Sequence, residues 1–275
     1  MFMRVGTLRI SMSELPKVNE ETILLKLLRV MINNKTNLVL VTREDKGLGM
    51  LSLEDVFLYM IESGRRLIDI LNMCAGDLMS FPKYVLNFEA DHDELRRVIL
   101  KMEAYEPILV VKNGSFVAAV TLKDMLLSLS FIKPLLHRAI VRSRRLGTLV
   151  APNTSLKGCI SKMIEDKSKH AVVHRKGRVL GLISYLNIVN CLVSSDTLEH
   201  IRLGVDGYFF YTTCSTVMER NFKYLIVGDY SNAYQILADN EYLIVLDDDR
   251  SRRLVKFISS NSAFILLREA LKRHL

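Results

Sequence analysis

The feature that most constrains this chain is an internal repeat. A unit of helix, strand, strand and helix recurs four times along the 275 residues. In each unit the second strand ends on a hydroxyl residue, and these anchors, spaced by 69, 63 and 75 residues, are Ser52, Thr121, Ser184 and Ser259. A near-constant period indicates repeated structural units that share a core. Because one such unit cannot bury both faces of so small a sheet, we expect the units to pair through their sheets.

Hydrophobic spacing predicts the elements of each unit. In the third unit, a helix with one apolar face begins after Ser155, strands follow at 171–173 and 179–184, and a second helix spans 185–193. Asn113-Gly114 predicts a tight hairpin between the two strands of the second unit. The fourth unit is weaker and is predicted to close with a helix over 261–272. We place the four repeats at residues 1–66, 72–132, 134–197 and 208–275, the last of them degenerate.

A short motif follows the second strand in three of the units. A small residue, two apolar residues, a hydroxyl residue, two variable positions and an acid or amide occupy residues 49–55, 118–124 and 181–187. The hydroxyl residue is placed to cap the next helix, whose free N–H groups favour a phosphate. The carboxylate three residues later can accept hydrogen bonds from paired hydroxyls such as those of a ribose. The small residue lets a backbone come close to a ligand.

An ordinary capping box has the same residue spacing and needs no ligand. For a single unit, capping alone is a sufficient explanation of the motif. Recurrence at the same place in three units favours a binding site instead.

On these motifs, the chain resembles the cystathionine beta-synthase (CBS) domain family, whose repeats pair in tandem as Bateman modules. The third unit is the clearest match, from Val150-Ala151-Pro152-Asn153-Thr154-Ser155-Leu156 through Gly181-Leu182-Ile183-Ser184. The resemblance implies an α/β (α+β) fold of four β-α-β-β-α repeats, with two Bateman modules facing each other in a flat disc. It also implies clefts that bind adenosine compounds such as AMP, ADP, ATP or S-adenosylmethionine.

The resemblance also implies which residues hold ribose and phosphate. Two pairs are similar to intact ribose-phosphate elements, and they are Ser52 with Asp55 and Thr121 with Asp124. Ser184 with Asn187 is similar to the amide version of the element, and Lys169 and Arg175 favour a phosphate in the same unit.

Two units depart from the family's pattern. In the fourth unit Lys256 replaces the small residue and Ser262 replaces the acid, so we expect that site to be empty or structural. In the second unit Glu106 stands before the first hairpin strand, where relatives that bind phosphate often have a basic residue.

Composition narrows the class of protein. The net charge is +8, and the whole excess lies in residues 134–275, which hold 21 basic and 13 acidic side chains, so an anionic ligand or partner is expected. Neither a membrane-spanning run nor a cleavable leader is evident in the sequence, which predicts a cytoplasmic protein. The four cysteines and six histidines are dispersed, which predicts free thiols and no metal site.

Taken together, these patterns predict a stand-alone, energy-sensing regulatory protein. It would bind an adenine nucleotide between repeats, signal to a protein partner by a conformational shift, and catalyse no reaction. Two alternatives stay open: a ligand-free scaffold, and a nucleic-acid-binding protein that uses the basic run Arg138, Arg142, Arg144 and Arg145. Homodimer formation is also left open. The aromatic cluster 208–211 is interpreted as a buried strand, with a partner-docking patch as the alternative.

Overall fold

Secondary structure in the computed structural model repeats as the sequence predicts. The structure describes residues 10–144 and 147–273. Within them the chain forms four three-stranded sheets, each built from three consecutive strands. The α/β class and the four predicted repeats are therefore confirmed.

Every repeat begins with the same five elements in the order β-α-β-β-α, and further helices follow in the first three. The first repeat contains β1 Lys17–Asn19, α1 Leu24–Asn33, β2 Leu38–Arg43, β3 Lys46–Ser52, α2 Leu53–Glu62, α3 Leu67–Leu71 and α4 Ala75–Leu78. The second contains β4 Val85–Asn87, α5 His92–Lys101, β5 Ile108–Lys112, β6 Ser115–Val120, α6 Leu122–Ser128, a 3-10 turn Ser130–Ile132 and α7 Lys133–Arg142.

The second half of the chain repeats this order. The third repeat contains β7 Thr148–Val150, α8 Leu156–Glu165, β8 His170–Arg175, β9 Arg178–Ser184, α9 Tyr185–Leu192, α10 Ser195–Arg202, α11 Gly207–Tyr211 and α12 Cys214–Val217. The fourth contains β10 Leu225–Ile226, α13 Ala233–Asn240, β11 Leu243–Leu246, β12 Leu254–Ile258 and α14 Ser260–Arg273.

Each sheet has the same pairing. A short first strand lies parallel to the second, which forms an antiparallel hairpin with the third. The predicted hairpin at Asn113-Gly114 is confirmed, because both residues have positive φ angles of 52° and 76°, as this kind of turn requires. The hairpin register shifts near its turn in every sheet, for example between Val41 and Thr42 and between Val173 and His174. This shared irregularity supports a common repeat.

Two kinds of interface hold the repeats together. The sheets of repeats one and two share an apolar cluster that includes Leu40 and Leu109, and the sheets of repeats three and four share another that includes Ile244. Helices form the other interfaces, since repeat one packs on repeat three, and repeat two packs on repeat four. Each repeat therefore contacts two others, and the predicted pairing into two modules is confirmed.

The interpretation of residues 208–211 as a buried strand is wrong. They belong to helix α11, which buries Phe209 and leaves Tyr211 76% exposed. A run of five residues is too short for its periodicity to distinguish a strand from one turn of helix. Of the predicted basic run, Arg138 and Arg142 lie on α7 and Arg144 follows it, while Arg145 lies outside the described residues.

Candidate functional site

Two cavities lie where the four repeats meet. The first, which we call the Asp55 cleft, has a volume of about 410 Å³ and is lined by residues of all four repeats. The second, which we call the Asn187 cleft, has a volume of about 660 Å³. The residues just before the second strand of each repeat line one or both cavities, and they are Asn37, Pro107, Lys169 and Tyr242.

The first motif opens helix α2 at the wall of the Asp55 cleft. The backbone N–H of Asp55 donates to Ser52 Oγ at 3.1 Å, and Ser52 Oγ donates to Asp55 Oδ2 at 2.7 Å. The capping box is therefore present, as the ordinary explanation of the motif requires. Asp55 Oδ1 accepts no hydrogen bond within the described chain. One carboxylate oxygen thus remains available to a ligand.

The charges in the Asp55 cleft are partly paired within the protein. Lys83 Nζ lies 2.9 Å from Glu106 Oε1, and Lys169 Nζ lies 2.7 Å from Glu241 Oε2. Lys35 and Lys167 also line the cleft, and neither forms an ion pair with a described residue. These two lysines therefore share the lining of the cavity with the Glu54 and Asp55 carboxylates, and the Lys167 charge offsets part of the rise that burial causes in the pKa of Glu54.

Burial changes the protonation behaviour of this cluster. Burial alone disfavours the Lys169 ammonium, but the Glu241 carboxylate and the Tyr105 hydroxyl more than offset this effect, so the pKa of Lys169 is raised. Burial, reinforced by Glu241, raises the pKa of Tyr105 to about 12. Burial and the neighbouring Asp55 carboxylate raise the pKa of Glu54, which also lines the cleft.

Two buried polar atoms beside the Asp55 cleft have no partner within the described chain. Asn37 Oδ1 offers an acceptor and the Tyr185 hydroxyl offers a donor, and both residues line the cleft. Tyr185 is stacked on Phe57 with ring centroids 5.4 Å apart, which fixes its position. Because unpaired buried polar atoms are costly, these two atoms are candidate hydrogen-bond partners for a polar group in the cleft.

The third motif lines the Asn187 cleft. Ser184 caps α9, and Asn187 Oδ1 accepts hydrogen bonds from Ser184 N and Oγ at 2.8 and 2.7 Å. The Asn187 amide N–H groups have no described partner, so this site offers a donor where Asp55 offers an acceptor. His170 also lines this cleft, and its burial lowers its pKa to about 4, which keeps the ring neutral at physiological pH.

The second motif lies differently. Thr121 caps α6 and lines both clefts, but Asp124 lines neither and is 3% exposed. Its carboxylate accepts hydrogen bonds from Thr121, Ser11 and Ser13. The structure therefore places Asp124 inside the protein and away from both cavities.

The remaining predicted site residues do not lie together in the structure. Lys169 lies in the Asp55 cleft, whereas Arg175 is exposed at the far end of β8, about 20 Å away along the strand. Lys256 is buried and donates to the carbonyl oxygens of Ile140 and Val141 at 2.7 and 2.9 Å, where it satisfies the end of α7. Ser259 accepts from the backbone of Ser262 at the start of α14.

The small residue of the motif has a structural role. A Cβ at Gly181 would lie 2.7 Å from the carbonyl oxygen of Glu219, and one at Gly49 would lie 2.8 Å from that of Ser80. The backbone that approaches these glycines is therefore the chain's own. The sequence motif predicts that the backbone of a ligand-binding site approaches a ligand at these small residues. In the structure, the segments of the chain that contain Ser80 and Glu219 cross the hairpins there and make the close approach instead.

Comparisons with known proteins found a family model that matches the first repeat and solved structures with a similar fold. The CBS domain family model matches residues 6–62. A protein from Methanocaldococcus jannaschii, described as a proposed archaeal homolog of g-AMPK, is 18% identical with a TM-score of 0.75, covering 98% of this chain and 100% of that one. An uncharacterized conserved protein from Pyrococcus horikoshii is 15% identical with a TM-score of 0.50 over the same shares. No curated protein sequence matches the chain. Among the described residues, every helix is too short or too polar to cross a bilayer.

Proposed function

We propose that this chain, whose residues 6–62 match the CBS domain model and whose fold resembles that of the Methanocaldococcus jannaschii protein, is a tandem CBS-domain regulatory protein that binds AMP, ADP or ATP. The Asp55 cleft and the Asn187 cleft are its proposed binding sites. We propose that it acts by binding and conformational shift rather than by catalysis.

The observation that carries this proposal is the convergence at the Asp55 cleft. Ser52 and Asp55 place a helix N-terminus and a free carboxylate oxygen at the cavity, where a ribose would donate hydrogen bonds. The apolar residues that line the same cavity include Leu38, Met50 and Phe81, and the Phe81 side chain is 73% exposed, which makes its ring accessible for stacking on a base.

Phosphate recognition is proposed for the lysines of the cleft. Lys35 and Lys167 form no ion pair with a described residue, so both are proposed to bind a monophosphate, which carries a charge of about −2. Lys169 is partly neutralised by Glu241, so a longer phosphate chain would have to compete with that carboxylate. We therefore expect AMP to bind more tightly than ATP.

The position of the cleft suggests how binding would be signalled. Residues of all four repeats line it, so a ligand that favours one arrangement of the repeats shifts the population toward that arrangement. A protein partner that recognises that arrangement would then respond to the nucleotide.

Replacement of Asp55 by Ala tests the proposal. Loss of a charge-assisted hydrogen bond to ribose should weaken AMP binding by about 1.5–3 kcal/mol, or about 10- to 150-fold. Asp91→Ala is the matched control, because Asp91 also caps a helix but lies outside both clefts. Equal AMP affinity of the two variants in a calorimetric titration would contradict the ribose assignment.

A second candidate function rests on a separate groove. Arg138 and Arg142 of α7 and Arg273 of α14 line a cavity of about 450 Å³, together with Glu269. None of these three arginines forms an ion pair within the described residues. This observation keeps nucleic-acid binding as the alternative function.

A further inference from the structure

The start of the described chain crosses the second repeat. Ile10 is buried in the core that repeats two and four share. Ser13 pairs with Ala119 of β6, since each backbone N–H donates to the other's carbonyl oxygen at 2.8 and 3.1 Å. Ser11 N–H donates to Ser128 Oγ at 2.8 Å. Residues 10–13 are therefore docked by burial and by backbone hydrogen bonds.

This segment brings two hydroxyl groups to one carboxylate. Ser11 Oγ donates to Asp124 Oδ1 at 2.8 Å, and Ser13 Oγ donates to Asp124 Oδ2 at 2.7 Å. Residues two apart in an extended segment project their side chains to the same face. The two hydroxyls therefore meet Asp124 as a pair, which is the arrangement that the two hydroxyls of a ribose would make.

The equivalent crossings in repeats one and three lack this feature. Ser80 pairs with Met50 of β3, but its hydroxyl lies 3.4 Å from Asp55 Oδ2, and the residue two positions earlier is Leu78. Glu219 pairs with Leu182 of β9, and the residue two positions earlier is Val217. The second hydroxyl is thus found at repeat two and at neither of these two crossings.

We propose that Ser11 and Ser13 are an internal ligand of Asp124, which occupies the ribose position of the second repeat. While the segment is docked, Asp124 contacts no nucleotide, and the chain binds nucleotide only at the Asp55 and Asn187 clefts. This inference rests on the proposed function for its effect on nucleotide capacity. The docking of the segment itself rests on the hydrogen bonds alone.

A matched pair of variants tests the assignment. Asp55→Asn and Asp124→Asn make the same change at equivalent positions of repeats one and two. Asp55→Asn should weaken AMP binding at one site by at least about tenfold, whereas Asp124→Asn should leave the affinity and stoichiometry of AMP binding unchanged. Loss of an AMP site in Asp124→Asn, measured calorimetrically, would overturn the proposal.

A second pair of variants tests release of the segment in the 275-residue chain. Ser11→Asp with Ser13→Asp places two carboxylates against Asp124, while Ser11→Thr with Ser13→Thr keeps both hydroxyls as the control. In the aspartate variant, hydrogen exchange at the Ala119 amide should accelerate by at least about tenfold. AMP stoichiometry should rise from two to three per chain. Unchanged exchange at Ala119 would overturn the docking by the hydroxyl pair, and faster exchange with an unchanged stoichiometry of two would overturn the role of the segment as an internal ligand.

The two proposals can fail separately. If the wild-type chain and Asp55→Asn both bind no AMP, the proposed function fails. The exchange rate at Ala119 still decides whether the hydroxyl pair holds the segment, because it needs no nucleotide. Hydrogen exchange at Ala119 that is faster in the aspartate variant and unchanged in the threonine variant supports docking by the hydroxyl pair. Equal exchange in both double variants contradicts it.

Discussion

The ion pair between Lys169 and Glu241 should oppose nucleotide binding while it stabilises the empty protein. The two side chains are only 20% and 19% exposed, and the Tyr105 hydroxyl lies 3.4 Å from an atom of each. Glu241 therefore holds the ammonium group that a phosphate would otherwise contact. Replacement of Glu241 by Gln removes this competing anion with little change in shape.

The size of the effect follows from the burial of the pair. Loss of one partner of a fully buried pair costs about 3–5 kcal/mol, and because each side chain keeps about a fifth of its exposure, we expect about 2–3 kcal/mol for Glu241→Gln. At about 2 °C per kcal/mol for a chain of this size, Tm should fall by about 4–6 °C. Affinity for ATP should rise by about tenfold, because Lys169 is then free to bind phosphate.

Thermal unfolding with and without ATP, together with calorimetric titration, measures both effects. The control is Lys169→Met combined with Glu241→Gln, a neutral pair of similar volume that should recover stability without gaining ATP affinity. Weaker ATP binding in Glu241→Gln would refute the reasoning, because it would show that the carboxylate assists the ligand. Because the pKa of Lys169 is raised in the folded protein, the stabilisation by its charge is fully present below the unfolded pKa of about 10.4. The effect of Glu241→Gln should therefore not vary with pH near neutrality.

Three further outcomes are expected. The pKa of His170 is about 4 in the folded chain and 6.5 in the unfolded chain, so the unfolded chain binds the extra proton and the free energy of unfolding should fall by about 3 kcal/mol as pH drops from 6.5 to 4. In urea unfolding, His170→Gln should lack this part of the pH dependence. An equal pH dependence in the variant and the wild type would contradict the assignment. Gly181→Ala should destabilise the protein by about 1–3 kcal/mol because its Cβ meets the Glu219 carbonyl. A Cβ at Gly158 would make ordinary contacts at 3.5 Å, so Gly158→Ala should be neutral or stabilising by up to about 1 kcal/mol, and equal stabilities of the two variants would contradict the crowding at Gly181. If Arg138 and Arg142 bind nucleic acid, the affinity for nucleic acid should fall steeply as the salt concentration rises, and replacement of both by Ala should reduce that dependence. An affinity that does not depend on salt would contradict this alternative.

Local sequence patterns were sufficient to predict the repeated fold. The period of the anchors, the hairpin at Asn113-Gly114 and the helix starts at Ser52 and Ser184 all depend on neighbouring residues, and the structure confirms them. The helical conformation of residues 208–211 was not predictable from neighbouring residues. Asp206, at the start of that helix, is held by a hydrogen bond from Leu67 N, 139 residues away.

The site was predictable in its motifs but not in its contacts. Ser52 and Asp55 lie at a cavity as the motif suggests, and Tyr185 and Asn37 joined the same cavity without a sequence signal strong enough to single them out. Glu241 neutralises Lys169 from 72 residues away, and Ser11 reaches Asp124 from 113 residues away. No periodicity encodes such long-range contacts, because they depend on how the four repeats are assembled.

Calorimetric titration of the nucleotide-stripped wild-type chain with AMP, followed by ATP as competitor, tests the central claim most directly. The chain has no Trp, so intrinsic fluorescence is a poor substitute. We predict binding of AMP in the range of about micromolar at two sites per chain, with ATP as a weaker competitor. A folded protein that gives neither heat with AMP nor competition by ATP would contradict the account.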